Sequence, residues 1–405
     1  MAGCANWVND MQIGFIDFSK EERSKILSTL KLLGEQTALD ELGIGVIRDA
    51  YADLLFPGIS TLQTRAKYFV LIPYLFHSAS EMAAAGKLRS GRELLQWLHA
   101  AEDKMVETLV QNSAPGESGI IGSNALKQKR SVKTRPSAIY WSGLRTFGIV
   151  QSERLMLSTA CALTVQDAKE KLEMELQDGD DSYDDVTAMD TGRTLFLPIR
   201  PEYSLEKETG ILLTRKEAQF LSDCIARSFF TKNSLLAFLV KNKLRCNSFE
   251  EIPEALLPPE LRRDYFLARE FSRFIYGAHI RYNVIYSEEK DDFMVAEFHA
   301  WRQDFLSSPF DLEPILQRVG CSTDLAGFCH EFLDAVNRND TEAMDDIIVR
   351  RERQVKGTRA KLRKPEEYRY DPAHPVHFYA LDFRFGRANV IIQDILAGLE
   401  GASHV

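Results

Sequence analysis

The apolar positions along the chain recur mostly at three- and four-residue spacing, which is the period of helices that bury one face. Ser19 with Glu22 three residues on forms a capping box ahead of Ile26, Leu27 and Leu30. Two Gly-punctuated helices are predicted next, over about 46–56 and 61–77, joined by the turn at Pro57 and Gly58. Ser90 opens a further helix with Leu94, Leu98, Met105 and Leu109 on one face. Residues 112–136 break the pattern and read as a surface loop. Periodicity returns over 137–150, in a short helix ending at Gly148, and again at 168–179.

Thr214 and Glu217 make a second capping box, for a helix reaching about Ser228. Pro258 and Pro259 sit where a helix start tolerates proline, ahead of a long aromatic-rich helix. Further helices fit 291–307, 311–319, 323–337 and 341–363, and a last one ends near Gly398 or Gly401. Only 193–199 resembles a strand, and Pro198 and Pro201 close it. The pattern predicts a mostly α fold, with many helices in two packed helical domains and minor short β-segments. The expected division is an N-terminal helical domain over 1–155, an acidic connecting segment over 156–210 and a C-terminal helical domain over 211–405.

Composition narrows the class. With 45% hydrophobic and 27% charged residues the chain has the makeup of a folded protein. No apolar run approaches the roughly 20 residues that span a bilayer. The N-terminus lacks the basic and apolar succession of a secretory signal, and the six cysteines follow no disulfide framework. A cytoplasmic protein without membrane contact is expected.

The net charge of −9 argues against a non-specific polyanion binder, but the charge is unevenly placed. Asp167–Asp190 carries ten acids, Ser123–Arg135 five bases and no acid, and Arg350–Arg369 nine bases against three acids. Docking of that last segment on the acidic loop 178–185 would satisfy both.

Motifs for chemistry are sparse. There is no GxSxG elbow, no GxxxxGK[ST] or GxGxxG phosphate loop, and no H-x-K pair of a phospholipase-D-type nuclease. Cys321, Cys329 and His330, with His374 and His377, lack the tight pairs of zinc sites. No cofactor or metal is expected. A metal-dependent nuclease built on acid and lysine combinations such as Asp167 and Lys169 is the remaining enzymatic alternative.

Nucleic-acid contact has positive support. If the helix after Gly58 is a recognition helix, Gln63, Arg65 and Lys67 lie in its first turns, where bases and phosphates are met. The competing reading is an αα-hairpin, with Arg65 paired to Asp49 or Asp53; the density of Tyr68, Phe69, Leu71, Ile72, Tyr74 and Leu75 favours it. A second candidate is the basic loop with Lys127, Lys129, Arg130, Lys133 and Arg135, followed by Tyr140, Trp141 and Arg145. Bases interleaved with aromatics can follow a backbone and stack bases. A third is Arg350–Arg363.

The runs "GFIDFS", "DELGIGVIRDAYADLLFPGISTLQTRAKYFVLIPYL" and "RPSAIYWSGLRTFGI", with the later "LTRKEAQFL", "YGAHIRYNVIYSE" and "FRFGRANVIIQDIL", resemble an uncharacterised bacterial family known only as a domain of unknown function. The resemblance spans nearly the whole chain and transfers no catalytic residue. Members of that family tend to be encoded beside helicases and phospholipase-D-like nucleases, in neighbourhoods suggestive of phage defence. The resemblance implies a role alongside DNA-processing partners. With the candidate contacts at 60–67 and 127–145, the expectation is a non-enzymatic accessory subunit of an antiviral defence system that contacts DNA or a nucleoprotein partner and works with a helicase or nuclease. A pure protein-interaction scaffold is the alternative.

Overall fold

The computed structural model describes residues 40–177 and 195–401, apart from positions 115, 129, 131, 133 and 365. The capping box at Ser19 and Glu22 and most of the acidic run lie outside them. The described chain is mostly helical, in the order α1 (Gly45–Leu55), α2 (Tyr68–Ala84), α3 (Gly91–Gln111), α4 (Ser123–Lys127), α5 (Pro136–Thr146), α6 (Leu157–Gln177), α7 (Arg215–Arg227), α8 (Leu235–Lys241), α9 (Pro259–Tyr286), α10 (Asp292–Leu306), α11 (Glu313–Val319), α12 (Thr323–Arg338), α13 (Thr341–Lys356) and α14 (Phe385–Glu400).

Several helix ends follow the local chemistry of the sequence. The side chain of Ser90 accepts the N–H of Glu93 at the start of α3. Thr214 and Glu217 form the reciprocal capping box of α7. Gly401 ends α14 in the left-handed conformation, the common glycine stop. The strand-like segment pairs only through an isolated antiparallel bridge between Val150 and Phe196, where Gln151 N–H donates to the Leu195 carbonyl at 3.0 Å. Among the described residues no helix is long and apolar enough to cross a membrane.

The chain divides into two compact units, each assembled from separated stretches. One comprises the described part of Met1–Val46 with Ala278–Leu306 and Ser322–Phe378. The other comprises Ile47–Gly277, Ser307–Cys321 and the described part of Tyr379–Val405. The boundary between Gly277 and Ala278 falls within α9, which has 28 residues.

In the larger unit α2 lies against α3, α5, α6 and α7, and α14 lies against α7 and α8. Tyr68, Phe69, Tyr140 and Phe147 form an aromatic centre with ring centroids 4.6–5.2 Å apart. In the smaller unit α12 packs on α13 through Phe328, Phe332, Ile348 and their neighbours.

Candidate nucleic-acid interface

The stretch after α1 departs from a continuous second helix. α2 begins at Tyr68, not near Thr61, and Thr61–Ala66 is a non-helical approach to it. Side chains take up the backbone groups that a helix would use. Gln63 Oε1 accepts the N–H of Ser60 at 3.1 Å, and its Nε2 donates to the Gly58 carbonyl at 3.0 Å. The Tyr140 hydroxyl accepts the N–H groups of Thr64 and Arg65 at 2.8 and 3.0 Å. Side-chain bonds to backbone groups compete with helical ones, here locally from Gln63 and over a long range from Tyr140.

The three polar residues singled out in this stretch therefore point inward. Gln63 is buried. Arg65 pairs with Asp394 of α14, not with Asp49 or Asp53. Its Nε and Nη2 donate to that carboxylate at 2.9 Å each, and Nη1 donates to the Ser118 carbonyl at 3.0 Å. Burial pulls the guanidinium pKa down, but the bonds to Asp394 and its charge more than offset this. Asp49 and Asp53 instead pair with Arg384.

Lys67 is 1% exposed and its Nζ donates to Glu217 Oε2 at 2.6 Å. The same carboxylate accepts the Tyr203 hydroxyl at 2.7 Å and the Tyr74 hydroxyl at 3.1 Å. Burial pulls the ammonium pKa down and Glu217 restores only part of it. These side chains are spent on holding α2 and α7 together, and no exposed reading face is left on α2.

The basic loop is divided. Lys127 and Arg130 are exposed, while Lys129 and Lys133 lie outside the described residues. Arg135 is mostly covered: it forms an ion pair with Asp103 and donates to the His99 carbonyl at 3.2 Å. Arg145 donates to the Glu153 carbonyl at 2.9 Å. The aromatics that follow are core rather than stacking platforms. Tyr140 is fully buried, and the Trp141 indole N–H donates to the Leu155 carbonyl at 2.7 Å.

Beneath this loop lies an acid that sequence pattern alone does not single out. Glu102 is fully buried in α3, and its Oε1 accepts the N–H of Ser137 in the first turn of α5 at 2.6 Å. Its Oε2 finds no hydrogen-bond partner among the described residues. Burial pushes its carboxyl up to about 7, against the pull of the Ser137 N–H and of Arg135.

The segment Arg350–Arg369 belongs to the smaller unit and sorts into an inner and an outer set. Glu41 is buried and gathers Lys361 at 2.9 Å, His377 Nε2 at 2.9 Å and Lys356 at 3.9 Å. Burial raises its pKa, but the bonds from His377 and Lys361, with the two lysine charges, carry it below the ordinary range. Glu352 is also buried and accepts the Tyr282 hydroxyl at 2.7 Å and the N–H of Lys361 at 2.8 Å, which bends the chain back after α13. Arg351 donates to the Leu42 carbonyl at 2.8 Å. Arg350 pairs with Glu331, and Lys364 with Glu367.

Arg353, Arg359, Arg363 and Arg369 remain exposed, with no ion pair to any described residue. Arg369 borders a cavity of about 560 Å³ beside Tyr286, Tyr368 and Tyr370. The sequence signal for this neighbourhood is "EEYRYDP", basic and aromatic residues interleaved after a basic helix end. His374 pairs with Asp371 and Cys329 is buried in α12. Among the described residues no group of three or more His, Cys, Asp and Glu side chains is placed to hold a metal.

The chain belongs to a family of unknown function, DUF6361, whose model matches residues 11–311. No curated protein matches it, and no solved structure does. The arginine-rich outer set therefore lies beyond the matched range.

Proposed function

We propose, for this member of a family of unknown function, a non-enzymatic accessory role in contacting nucleic acid, centred on the exposed arginines in the last turn of α13 and after it. The observation that carries this reading is the sorting of bases in Arg350–Arg369. Those that build the unit are taken up by Glu41, Glu331, Glu367 and the Leu42 carbonyl, while four arginines face solvent with no ion pair to a described residue. Arginines left free in this way bind phosphates, and the binding weakens with salt because each contact releases counterions. Lys127 and Arg130, on the other unit, are likewise exposed bases. The setting we infer is a bacterial anti-phage system in which a helicase or nuclease does the chemistry.

The test is fluorescence anisotropy with labelled oligonucleotides and the full-length protein. Binding is expected, and Arg353→Glu with Arg359→Glu and Arg363→Glu is expected to abolish it without changing the thermal unfolding. Absence of binding by the unaltered protein overturns the reading.

A scaffold role is the second reading, favoured by Phe229, which is 77% exposed beside the exposed Phe230 between α7 and α8. It gains if Phe229→Ser with Phe230→Ser removes partner-protein binding that the arginine substitutions leave intact.

A further inference from the structure

The cavity of about 560 Å³ lies wholly within the smaller unit, between the turn joining α9 to α10 and residues 368–372. Its wall is aromatic. Tyr286 and Tyr370 meet edge to face, with centroids 5.4 Å apart. The Tyr370 hydroxyl donates to Asp291 Oδ2 at 2.7 Å and the Tyr286 hydroxyl to the Arg369 carbonyl at 3.0 Å, so both rings are held in place. Tyr368 and Phe293 add two further rings to the lining; Phe293 is 61% exposed and meets Phe378 edge to face, with centroids 5.8 Å apart.

The charges around the rim are partly spent. Glu288 pairs with Lys290, and Asp291 is occupied by Tyr370. Asp292 and Arg369 are exposed, with no ion pair to a described residue. One acceptor and one cation beside an aromatic wall match a base with an exocyclic amine and its adjoining phosphate. A cationic peptide fits less well, because two of the three acids are engaged and the flanking segment is arginine-rich. A duplex fits less well too, because its bases are stacked on one another and offer no free face.

We propose that this cavity takes an unpaired base of a single-stranded nucleic acid, stacked on the tyrosine wall, with Asp292 accepting from the exocyclic amine and Arg369 on the phosphate. The volume is in the range of small-ligand sites. Carboxylates accept from the amino group of cytosine in the same manner. The proposal rests on the nucleic-acid reading above and adds strand form and base preference to it.

The experiment measures anisotropy of labelled oligo-dC, oligo-dT, oligo-rC and a duplex of equal length with the full-length protein. The single strands are expected to bind more tightly than the duplex, and oligo-dC more tightly than oligo-dT. Tyr368→Ala and Phe293→Ala are each expected to weaken single-strand binding roughly tenfold and to leave duplex binding unchanged. Tyr368→Phe, which keeps the ring, is expected to retain it. Asp292→Asn is expected to narrow the gap between oligo-dC and oligo-dT. The tighter of oligo-dC and oligo-rC names the source, and either supports the proposal. Equal affinity for single strand and duplex, or no loss in Tyr368→Ala and Phe293→Ala, overturns this proposal alone. Absence of all binding removes the underlying reading with it.

Discussion

Lys67 and Glu217 form a 2.6 Å ion pair in which neither side chain reaches solvent, across 150 positions of sequence. Two tyrosine hydroxyls and the N–H of Thr214 fill the remaining acceptor sites of the carboxylate. The pair turns an apparent recognition residue into a structural one. A buried pair gains little over apolar packing, yet removing one partner strands the other charge. Lys67→Met and Glu217→Gln are each expected to lower the unfolding free energy by roughly 3 kcal/mol. The double variant should cost less than the sum of the two, by about 1 kcal/mol or more. Urea denaturation of the four proteins checks this, and strict additivity would show that the two side chains do not act as a pair.

Glu102 gives the protein a pH dependence opposite in sign to that of an ordinary surface carboxylate. Its folded pKa, pushed up to about 7 by burial, lies above the unfolded value. Below the unfolded value both states hold the proton and there is no penalty. As pH rises from about 4.5 to about 7 the unfolded state releases the proton first, so stability falls, and above the folded pKa the loss is complete. A shift of this size corresponds to roughly 3 kcal/mol. Glu102→Gln keeps an acceptor for Ser137 and removes the titration. Relative to the unaltered protein it is expected to gain stability between about pH 5 and pH 8. Denaturation midpoints across that range provide the measurement, and parallel curves for the two proteins would contradict it.

Gly143 sets how closely α5 approaches the turn that carries Gln63. A Cβ at this position would lie 2.6 Å from the Gly58 carbonyl oxygen and 2.7 Å from the Phe69 ring. The first of these is backbone and cannot swing aside. Alanine would bring at most about 1 kcal/mol of helix propensity. Overpacking of this kind costs about 1–3 kcal/mol. Gly143→Ala is therefore expected to lower the melting temperature, and an unchanged or raised value would show that the turn can move away freely.

What was legible in the sequence was local. The capping chemistry of Thr214 and Glu217, the proline at the start of α9 and the glycine after α14 each act within one helical turn, and each element appears where they place it. The delayed start of α2 was not legible. It depends on the hydroxyl of Tyr140, 75 residues away, taking the N–H of Arg65. The partners of Arg65 and Lys67, at Asp394 and Glu217, are likewise set by packing, which periodicity does not encode. The aromatic density of α2 did carry the right warning, since Tyr68, Phe69, Leu71, Ile72 and Tyr74 are all buried. In Arg350–Arg369 charge counting finds the segment but cannot divide it. Glu41, more than 300 positions earlier, decides which lysines turn inward.

Contact of the outward arginines with phosphate is read most directly by the salt dependence of binding. Log affinity against log salt is to be measured for the unaltered protein and for the variant carrying only Arg353→Glu and Arg359→Glu. Each lost phosphate contact removes about 0.7–0.9 from the slope. Binding is expected to weaken steeply with salt, with a slope shallower by about 1.4–1.8 in the variant. Binding with the same slope in both proteins would contradict it.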